Sequence, residues 1–250
     1  MVRGCEYTMV TSPGNTAKRR ICVLVTARPS YSRIRSALHA IRDHPDLELQ
    51  LVVGASALLE RYGNAIQAIE HDGFEPAARV YMVLEGENLV TSAKSTGLGL
   101  VELATVFDNL KPDAVVTVAD RYETLATAVA ASYMNIPVVH VQGGEVTGSI
   151  DEKVRHAVTK LANLHLVSTV LSRERVIKLG EEPDSVVLTG CPSIDIGRDA
   201  TNHIVGSRAN RDFVFRQIQT KIGTDLTNMR KSVSYMVGRN RREIQIHAGM

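Results

Sequence analysis

The sequence lacks any uninterrupted run of about 18 apolar residues, the length that a membrane-spanning helix needs. Its first twenty residues, MVRGCEYTMVTSPGNTAKRR, are polar and basic and contain no apolar core of a secretory signal peptide. Cysteine is scarce: Cys5, Cys22 and Cys191 form neither a CxxC motif nor a disulfide framework. These absences predict no membrane partner and a reducing, cytoplasmic location, with residues 1–20 as a disordered leader.

A strong charge of one sign is also missing, since the net charge is only +2 at pH 7. Residues 201–250 are the exception, with nine lysines and arginines against three acidic residues. Few aromatic residues accompany these basic ones, so a nucleic-acid partner is not predicted. Apolar periodicity is weak beyond Phe215. We interpret 201–250 as a basic tail, either a short helix with disorder or a foreign or frameshifted end.

Several signatures of cofactor and metal sites are absent. No GxGxxG follows the first apolar run, and neither a GxxxxGK[ST] P-loop nor a GxSxG elbow occurs. The eight histidines form no HExxH motif and no cluster with cysteine, so no metal site is predicted. A nicotinamide or flavin cofactor is not predicted either. We interpret the glycine-containing KSTGLGL stretch, residues 94–100, as a loop that leads into a helix.

Short apolar runs rich in β-branched residues alternate with segments of helical periodicity. Such runs are typical of strands that are buried on both faces of a parallel sheet. The predicted strands are residues 21–27, 47–55, 114–119, 136–142, 164–169 and 185–190. The alternation predicts an α/β fold with a doubly wound parallel sheet, in a Rossmann-like domain over residues 21–200.

Polar residues follow three of these predicted strands. Ligands of doubly wound sheets bind beyond the carboxyl ends of the strands. Arg28, within TARPSYS, stands where an arginine and a helix N-terminus can bind a phosphate. Asp120 and Arg121, within VADRYET, offer a base and a second phosphate ligand. The alternatives are a surface ion pair for Arg28 and an N-cap role for Asp120.

The third cluster lies in HVQGGEVTGSIDEKVRHAVTK, residues 140–160. Gly143 and Gly144 allow a sharp turn and a close approach of the backbone to a ligand. Ser149 and Glu152 also fit a capping box, which gives Glu152 a purely structural alternative.

The same helix carries Asp151 and Arg155 four residues apart, which suits an ordinary ion pair. Its apolar stripe centres near Val154 and Leu161. His156 therefore lies on the opposite face, where it faces water or a cleft rather than the core.

The chain resembles the UDP-N-acetylglucosamine 2-epimerase family, in its hydrolysing branch, over residues 21–195. The resemblance is carried by TARPSYS, by DRYETLATAVAASYMNIPVVHVQGGEVTGSIDEKVRHAVTKLANLHLVST and by LTGCPSID. It implies the N-terminal half of a two-domain, glycosyltransferase-B-type enzyme that needs no redox cofactor. The implied reaction eliminates UDP from UDP-N-acetylglucosamine and then adds water, giving N-acetylmannosamine for sialic-acid-type sugars.

The resemblance implies two groups of site residues. The catalytic group supplies acid/base side chains: Asp120, Glu145, Asp151, Glu152 and His156. The substrate-binding group supplies phosphate and sugar contacts: Arg28, Ser32, Arg121, Gln142, Gly143, Gly144 and Arg155. Which carboxylate takes the proton is left open.

One position departs from many related enzymes, which carry glutamate two residues after the histidine that matches His140. Here Gln142 stands at that position, and an amide can bind a sugar hydroxyl but cannot abstract a proton. Glu145 is the candidate that supplies the charge instead.

The resemblance stops after CPSID, whereas family members run well beyond 250 residues. We therefore expect that the second domain is missing or is supplied by a partner, and that this chain alone has weak or no activity. A truncated, inactive nucleotide-sugar-binding domain and an epimerase acting on a UDP-diacetamido-trideoxy sugar are the alternatives. A glycosyltransferase half is disfavoured by GGEVTGSIDEKVRHA. The resemblance also allows a homo-oligomer, since these are usual in the family, but the sequence leaves the oligomeric state open.

Overall fold

The computed structural model describes residues 18–86 and 88–191. Within these residues seven strands form one sheet with six helices. The strands are β1 (Arg19–Val25), β2 (Leu47–Gly54), β3 (Ala78–Val80), β4 (Ala114–Val118), β5 (Val138–Val141), β6 (Leu164–Val167) and β7 (Val186–Leu188). The helices are α1 (Arg28–Arg42), α2 (Ala65–His71), α3 (Leu89–Leu110), α4 (Tyr122–Tyr133), α5 (Ile150–Leu161) and α6 (Val170–Lys178).

The sheet has the order β3-β2-β1-β4-β5-β6-β7, and every neighbouring pair is parallel. The predicted doubly wound parallel α/β fold is therefore confirmed. From β1 the strands that follow in sequence are added first on one side, as β2 and β3, and then on the other side, beginning with β4. The strand order therefore reverses between β1 and β4. In such sheets this switch point opens a crevice at the carboxyl ends of the strands, where ligands bind.

The core lies on both faces of the sheet, which explains why its strands read as continuous apolar runs. On one face Ile21 and Val23 of β1 share a buried cluster with Leu38 of α1. On the other face Cys22 is buried with Phe107 of α3. Successive residues of one strand thus serve opposite layers, so a polar residue fits neither position.

The interpretation of residues 94–100 as a loop is wrong, because α3 begins at Leu89 and runs through this stretch. Asn88 caps the helix by accepting a hydrogen bond from the Thr91 N–H at 3.0 Å. Gly99 leaves room for the buried Met82 side chain, since a Cβ atom there would lie 2.2 Å from Met82 Cε. Because glycine, serine and threonine interrupt the apolar pattern of this stretch, its helical periodicity is not visible in the sequence. Sequence analysis also missed the short elements β3 and α2.

Two predicted segments fall wholly or largely outside the described residues. The predicted leader overlaps them only at its end, where Arg19 and Arg20 already belong to β1. The tail at 201–250, together with residues 192–200, lies outside them. Among the helices that the structure describes, none is long and apolar enough to cross a membrane.

Candidate functional site

The three predicted polar clusters lie at one edge of the sheet, because β1, β4 and β5 are consecutive parallel neighbours. Arg28 opens α1 after β1, and Asp120 and Arg121 follow β4. Gln142 to Glu145 follow β5. The sheet thereby brings together side chains that are more than a hundred residues apart in sequence.

Arg155 of α5 connects the cluster after β4 with the cluster after β5. Its guanidinium forms an ion pair with the Asp120 carboxylate, and only 4% of the Arg155 side chain is exposed. Its Nη1 also donates to the Glu145 carbonyl at 2.5 Å. The suggested pair between Asp151 and Arg155 is therefore wrong, and so is the suggested cap by Asp120, since Arg121 occupies the N-cap of α4.

Among the non-glycine residues with left-handed backbone conformations, two directly precede predicted site residues at this edge, Ala119 with φ +70° and Gln142 with φ +65°. Each follows the end of its strand, and each backbone N–H still donates to the neighbouring strand, to Val141 and Leu166 respectively. Such strained residues persist where the surrounding structure holds them, and they concentrate at functional sites. These two residues come directly before Asp120 and Gly143.

Gly143 and Gly144 make the predicted turn, but other residues of the chain already occupy the space that a side chain at either position would fill. A Cβ atom on Gly144 would lie 2.3 Å from the Ser172 carbonyl oxygen of α6, and Gly144 has φ +78°. A Cβ atom on Gly143 would lie 3.1 Å from His140 Nδ1. Packing therefore accounts for both glycines, and their contact with a substrate stays a prediction.

Glu152 holds the loop that precedes its own helix. Its Oε2 accepts from the N–H groups of Thr147 at 2.8 Å and of Gly148 at 2.7 Å. These hydrogen bonds, that of Gly148 first, hold the pKa of Glu152 below its usual range. The capping box is not formed in its predicted reciprocal manner, because Ser149 Oγ accepts from Asp151 N at 3.2 Å while Glu152 bonds the two preceding residues.

His156 lies next to Glu152, with 3.9 Å between its Nε2 and Glu152 Oε1. It is half-buried and not part of the apolar core, as the helical spacing predicted. Glu145 and Asp151 are half-buried as well. Within the described residues neither of these two carboxylates accepts a hydrogen bond, so both are open to a ligand.

Arg28 and Ser32 lie on the exposed side of the first turns of α1. The Arg28 guanidinium extends over Gly63, where a Cβ atom would lie 2.9 Å from Nη1. Among the described residues no carboxylate forms an ion pair with Arg28. The alternative of a surface ion pair is therefore not supported there. The Ser32 hydroxyl donates to the backbone carbonyls of its own helix, Pro29 at 3.1 Å and Arg28 at 3.2 Å.

Sequence analysis missed Arg33 and Glu123. Burial lowers the pKa of the Arg155 guanidinium, and the charge of Arg33 on α1 adds to this effect. Glu123 is completely buried at the start of α4, and burial raises its pKa. The sequence held one signal for Glu123, its place three residues after Asp120 on a helix, but no signal of its burial.

His140 is another buried polar residue at this edge that was not among the predicted site residues. Its Nε2 lies 2.9 Å from the Ala119 carbonyl oxygen, and burial lowers the pKa of this imidazole to about 4. The neutral ring therefore donates to the strained Ala119. Nearby, the Gln142 amide donates to Cys191 Sγ at 3.4 Å, linking the ends of β5 and β7.

The side chains of the described residues do not form a recognisable metal site. Among residues 18–86 and 88–191 no group of three histidine, cysteine, aspartate or glutamate side chains is arranged to hold a metal ion. The arrangement at the edge consists instead of arginines around carboxylates, which suits an anionic ligand with acid/base groups beside it.

Comparisons with known proteins find similar chains. A 2-epimerase from Legionella pneumophila, named for UDP-N,N'-diacetylbacillosamine and hydrolysing, is 36% identical over 177 residues, which is 71% of this chain and 47% of the relative. A UDP-N-acetylglucosamine 2-epimerase of Neisseria meningitidis is 28% identical over 74% of this chain and 48% of its own length. A crystal structure of the Neisseria meningitidis enzyme bound to UDP-GlcNAc superimposes with a TM-score of 0.64 at 19% identity, covering 80% of this chain and 53% of that one.

The chain thus spans about half the length of the curated relatives that it matches. The sequence model described as UDP-N-acetylglucosamine 2-epimerase matches residues 39–238, which is most of the chain and includes much of the segment interpreted as a tail. The chain therefore belongs to the UDP-N-acetylglucosamine 2-epimerase family.

Proposed function

We propose that the chain supplies the N-terminal half of the active site of a hydrolysing UDP-N-acetylglucosamine 2-epimerase. The proposed reaction converts UDP-N-acetylglucosamine and water into N-acetylmannosamine and UDP. The observation that carries the proposal is the buried pair of Arg155 and Asp120, which ties the segments after β4 and β5 together at the ligand-binding edge. Membership of the family supports the same reaction.

The diphosphate of the substrate binds at the switch point between β1 and β4. Arg28 and Arg121 flank this point, and both side chains are largely exposed. Arginine suits the task because its planar guanidinium donates two parallel hydrogen bonds to phosphate oxygens. The N-terminus of α1 adds backbone N–H groups, and Ser32 lies one turn further along the helix.

The proposed chemistry has two steps. A base removes the proton from C2 of the sugar, and the C1–O bond breaks so that its electron pair leaves with UDP. The resulting 2-acetamidoglucal then takes a hydroxyl group from water at C1 and a proton at C2 from the opposite face. Positive charge near the departing diphosphate lowers the barrier of the first step.

We assign the two proton transfers to Glu145 and Asp151, whose carboxylates accept no hydrogen bond within the described residues. Glu152 is a weaker base, because two backbone N–H groups stabilise its ionised form. Its part is to hold the loop and to orient His156 toward the sugar. Asp120 is engaged by Arg155 and fixes that guanidinium, and Gln142 contributes an amide that binds a sugar hydroxyl.

The test is an assay of UDP release from UDP-N-acetylglucosamine by the 250-residue chain, run in deuterium oxide with NMR identification of the sugar. Active chain yields N-acetylmannosamine with deuterium at C2, and Asp151→Asn or Glu145→Gln lowers the rate by about a hundredfold or more. Asp184→Asn is the matched control, because Asp184 is exposed in the turn before β7.

Other outcomes of this assay distinguish the alternatives. A folded chain that binds UDP but releases none from the substrate supports an inactive nucleotide-sugar-binding domain. A folded chain that binds neither UDP nor UDP-N-acetylglucosamine contradicts the proposal.

A second candidate substrate is a UDP-diacetamido-trideoxyhexose. It is favoured by the higher identity to the Legionella pneumophila relative, which is named for UDP-N,N'-diacetylbacillosamine, than to the Neisseria meningitidis one. The same assay run with both sugar nucleotides compares their kcat/KM values. A kcat/KM at least tenfold higher for the diacetamido sugar corresponds to about 1.4 kcal/mol and would identify that sugar nucleotide as the substrate in place of UDP-N-acetylglucosamine.

A further inference from the structure

Glu123, at the second position of α4, is a carboxylate that the proposed chemistry does not use. Its side chain is completely buried. Neither of its oxygens accepts a well-formed hydrogen bond from the residues that the structure describes. Buried carboxylates are ordinarily paired or hydrogen-bonded, since removing the charge from water costs several kcal/mol. Such a residue requires an explanation.

Two neighbours on its own segment face the Glu123 carboxyl group. Arg121 Nε lies 3.5 Å from Glu123 Oε2, and the Tyr122 hydroxyl interacts with the same carboxyl group. From α5, the charge of Asp151 also acts on it. Arg121 is therefore the cation that offsets the buried charge among the described residues.

Arg121 is restrained from a second side as well. Its guanidinium carbon lies 5.8 Å from the centre of the Tyr122 ring. About half of the Arg121 side chain is nevertheless exposed at the ligand-binding edge. A long, flexible side chain is thus held by a buried carboxylate and an aromatic ring, while the rest of its guanidinium stays accessible.

Stability by itself does not account for this arrangement. Replacing a buried ion pair by apolar side chains of similar size is often neutral or stabilising. A buried carboxylate at such a position is explained if it orders a residue that binds a ligand, because preorganisation lowers the entropy cost of binding.

We propose that Glu123 is a positioning residue of the nucleotide site, which fixes the Arg121 guanidinium so that its free N–H groups meet the diphosphate. This inference rests on the proposed function, in which Arg121 binds that diphosphate. Glu123 itself does not touch the ligand, because it is buried behind Arg121. Its substitution changes nucleotide affinity through Arg121 alone.

The test measures the affinity of the 250-residue chain for UDP by following the phosphorus NMR signals of the nucleotide. Glu123→Leu weakens UDP binding by about tenfold, whereas its urea midpoint equals or exceeds that of the wild type. Glu123→Gln weakens binding by only about threefold, because its amide oxygen still accepts a hydrogen bond from Arg121. In an Arg121→Gln background, Glu123→Leu changes the affinity by less than about twofold.

The opposite results would overturn the inference. A merely structural Glu123 predicts that Glu123→Leu changes stability and leaves UDP affinity unaltered, or lowers the affinity equally in both backgrounds. If Glu123→Leu does not fold, Glu123→Gln in the two backgrounds decides the same question.

The two proposals fail in different ways. If Arg121→Gln weakens UDP binding and the Glu123 variants do not, only the inference fails. If the wild-type chain leaves the UDP signals unchanged, the proposed function fails, and the inference fails with it.

Discussion

The Arg155 guanidinium of α5 forms a buried ion pair with the Asp120 carboxylate that follows β4. The same guanidinium donates to the Glu145 carbonyl after β5. One side chain therefore connects two segments at the carboxyl edge of the sheet. Removing either side chain leaves the other charge largely buried and unpaired, which destabilises the fold.

We expect Arg155→Met to lower the free energy of unfolding by about 3 kcal/mol, because it leaves the Asp120 carboxylate without its cation in a largely buried place. Urea unfolding measures the change. Arg79→Met is the control, since Arg79 pairs with Glu70 where both side chains are close to half exposed. The control loses less than about 1 kcal/mol. Equal losses in the two variants would show that the Arg155 pair is no better sheltered than a surface pair.

Gly144→Ala is expected to destabilise the chain by about 3 kcal/mol, through left-handed strain and collision with the Ser172 carbonyl oxygen. Gly148→Ala separates the two causes. Gly148 has a similar φ of +70°, but a Cβ atom there meets nothing within 4 Å. We expect it to lose only about 1 kcal/mol. Thermal or urea unfolding of both variants gives the difference, and a Gly144→Ala cost no larger than that of Gly148→Ala would contradict the packing of this turn on α6.

The buried His140 predicts that stability falls in acid. Its pKa is about 4 in the folded chain, compared with 6.5 for an exposed histidine. The unfolded chain therefore takes up a proton as the pH falls below 6.5, whereas the folded chain does so only near pH 4. The contribution is fully present above pH 6.5 and is lost as the pH falls to about 4, amounting to roughly 3 kcal/mol.

Urea unfolding at intervals from pH 7 to about pH 4 measures this loss. His140→Gln removes the titrating group and keeps a donor for the Ala119 carbonyl, so its stability depends less steeply on pH than that of the wild type. His71→Gln, at an exposed position of α2, leaves the slope unchanged. A His140→Gln slope equal to that of the wild type would argue against a neutral, buried His140.

Glu152 is expected to order the loop before α5. Its replacement in Glu152→Ala removes the acceptor of the Thr147 and Gly148 N–H groups, so both amide protons exchange faster with solvent. Amide exchange followed by NMR reports the two residues directly. Glu174→Ala, on the exposed side of α6, leaves their exchange unchanged. Unaltered exchange at Thr147 and Gly148 in the Glu152 variant would mean that other contacts order this loop.

The sequence by itself determined the layer architecture and the edge of the sheet at which the three predicted polar clusters lie. Runs such as ICVLVTA are apolar on both faces, and only strands that are covered by helices on both sides suit them. Six of the seven strands were therefore predictable. The three-residue β3 was not, and neither was the first half of α3, because short or glycine-containing segments carry too little periodicity to be recognised.

The tertiary structure decided which side chains meet. Local spacing paired Arg155 with Asp151, four residues away, whereas the fold pairs it with Asp120, 35 residues away, through the neighbouring strands β4 and β5. It also buried Glu123 behind Arg121, and it placed α6 against Gly144. Contacts between distant segments depend on strand order and helix packing, and the spacing of residues along one helix contains no information about either.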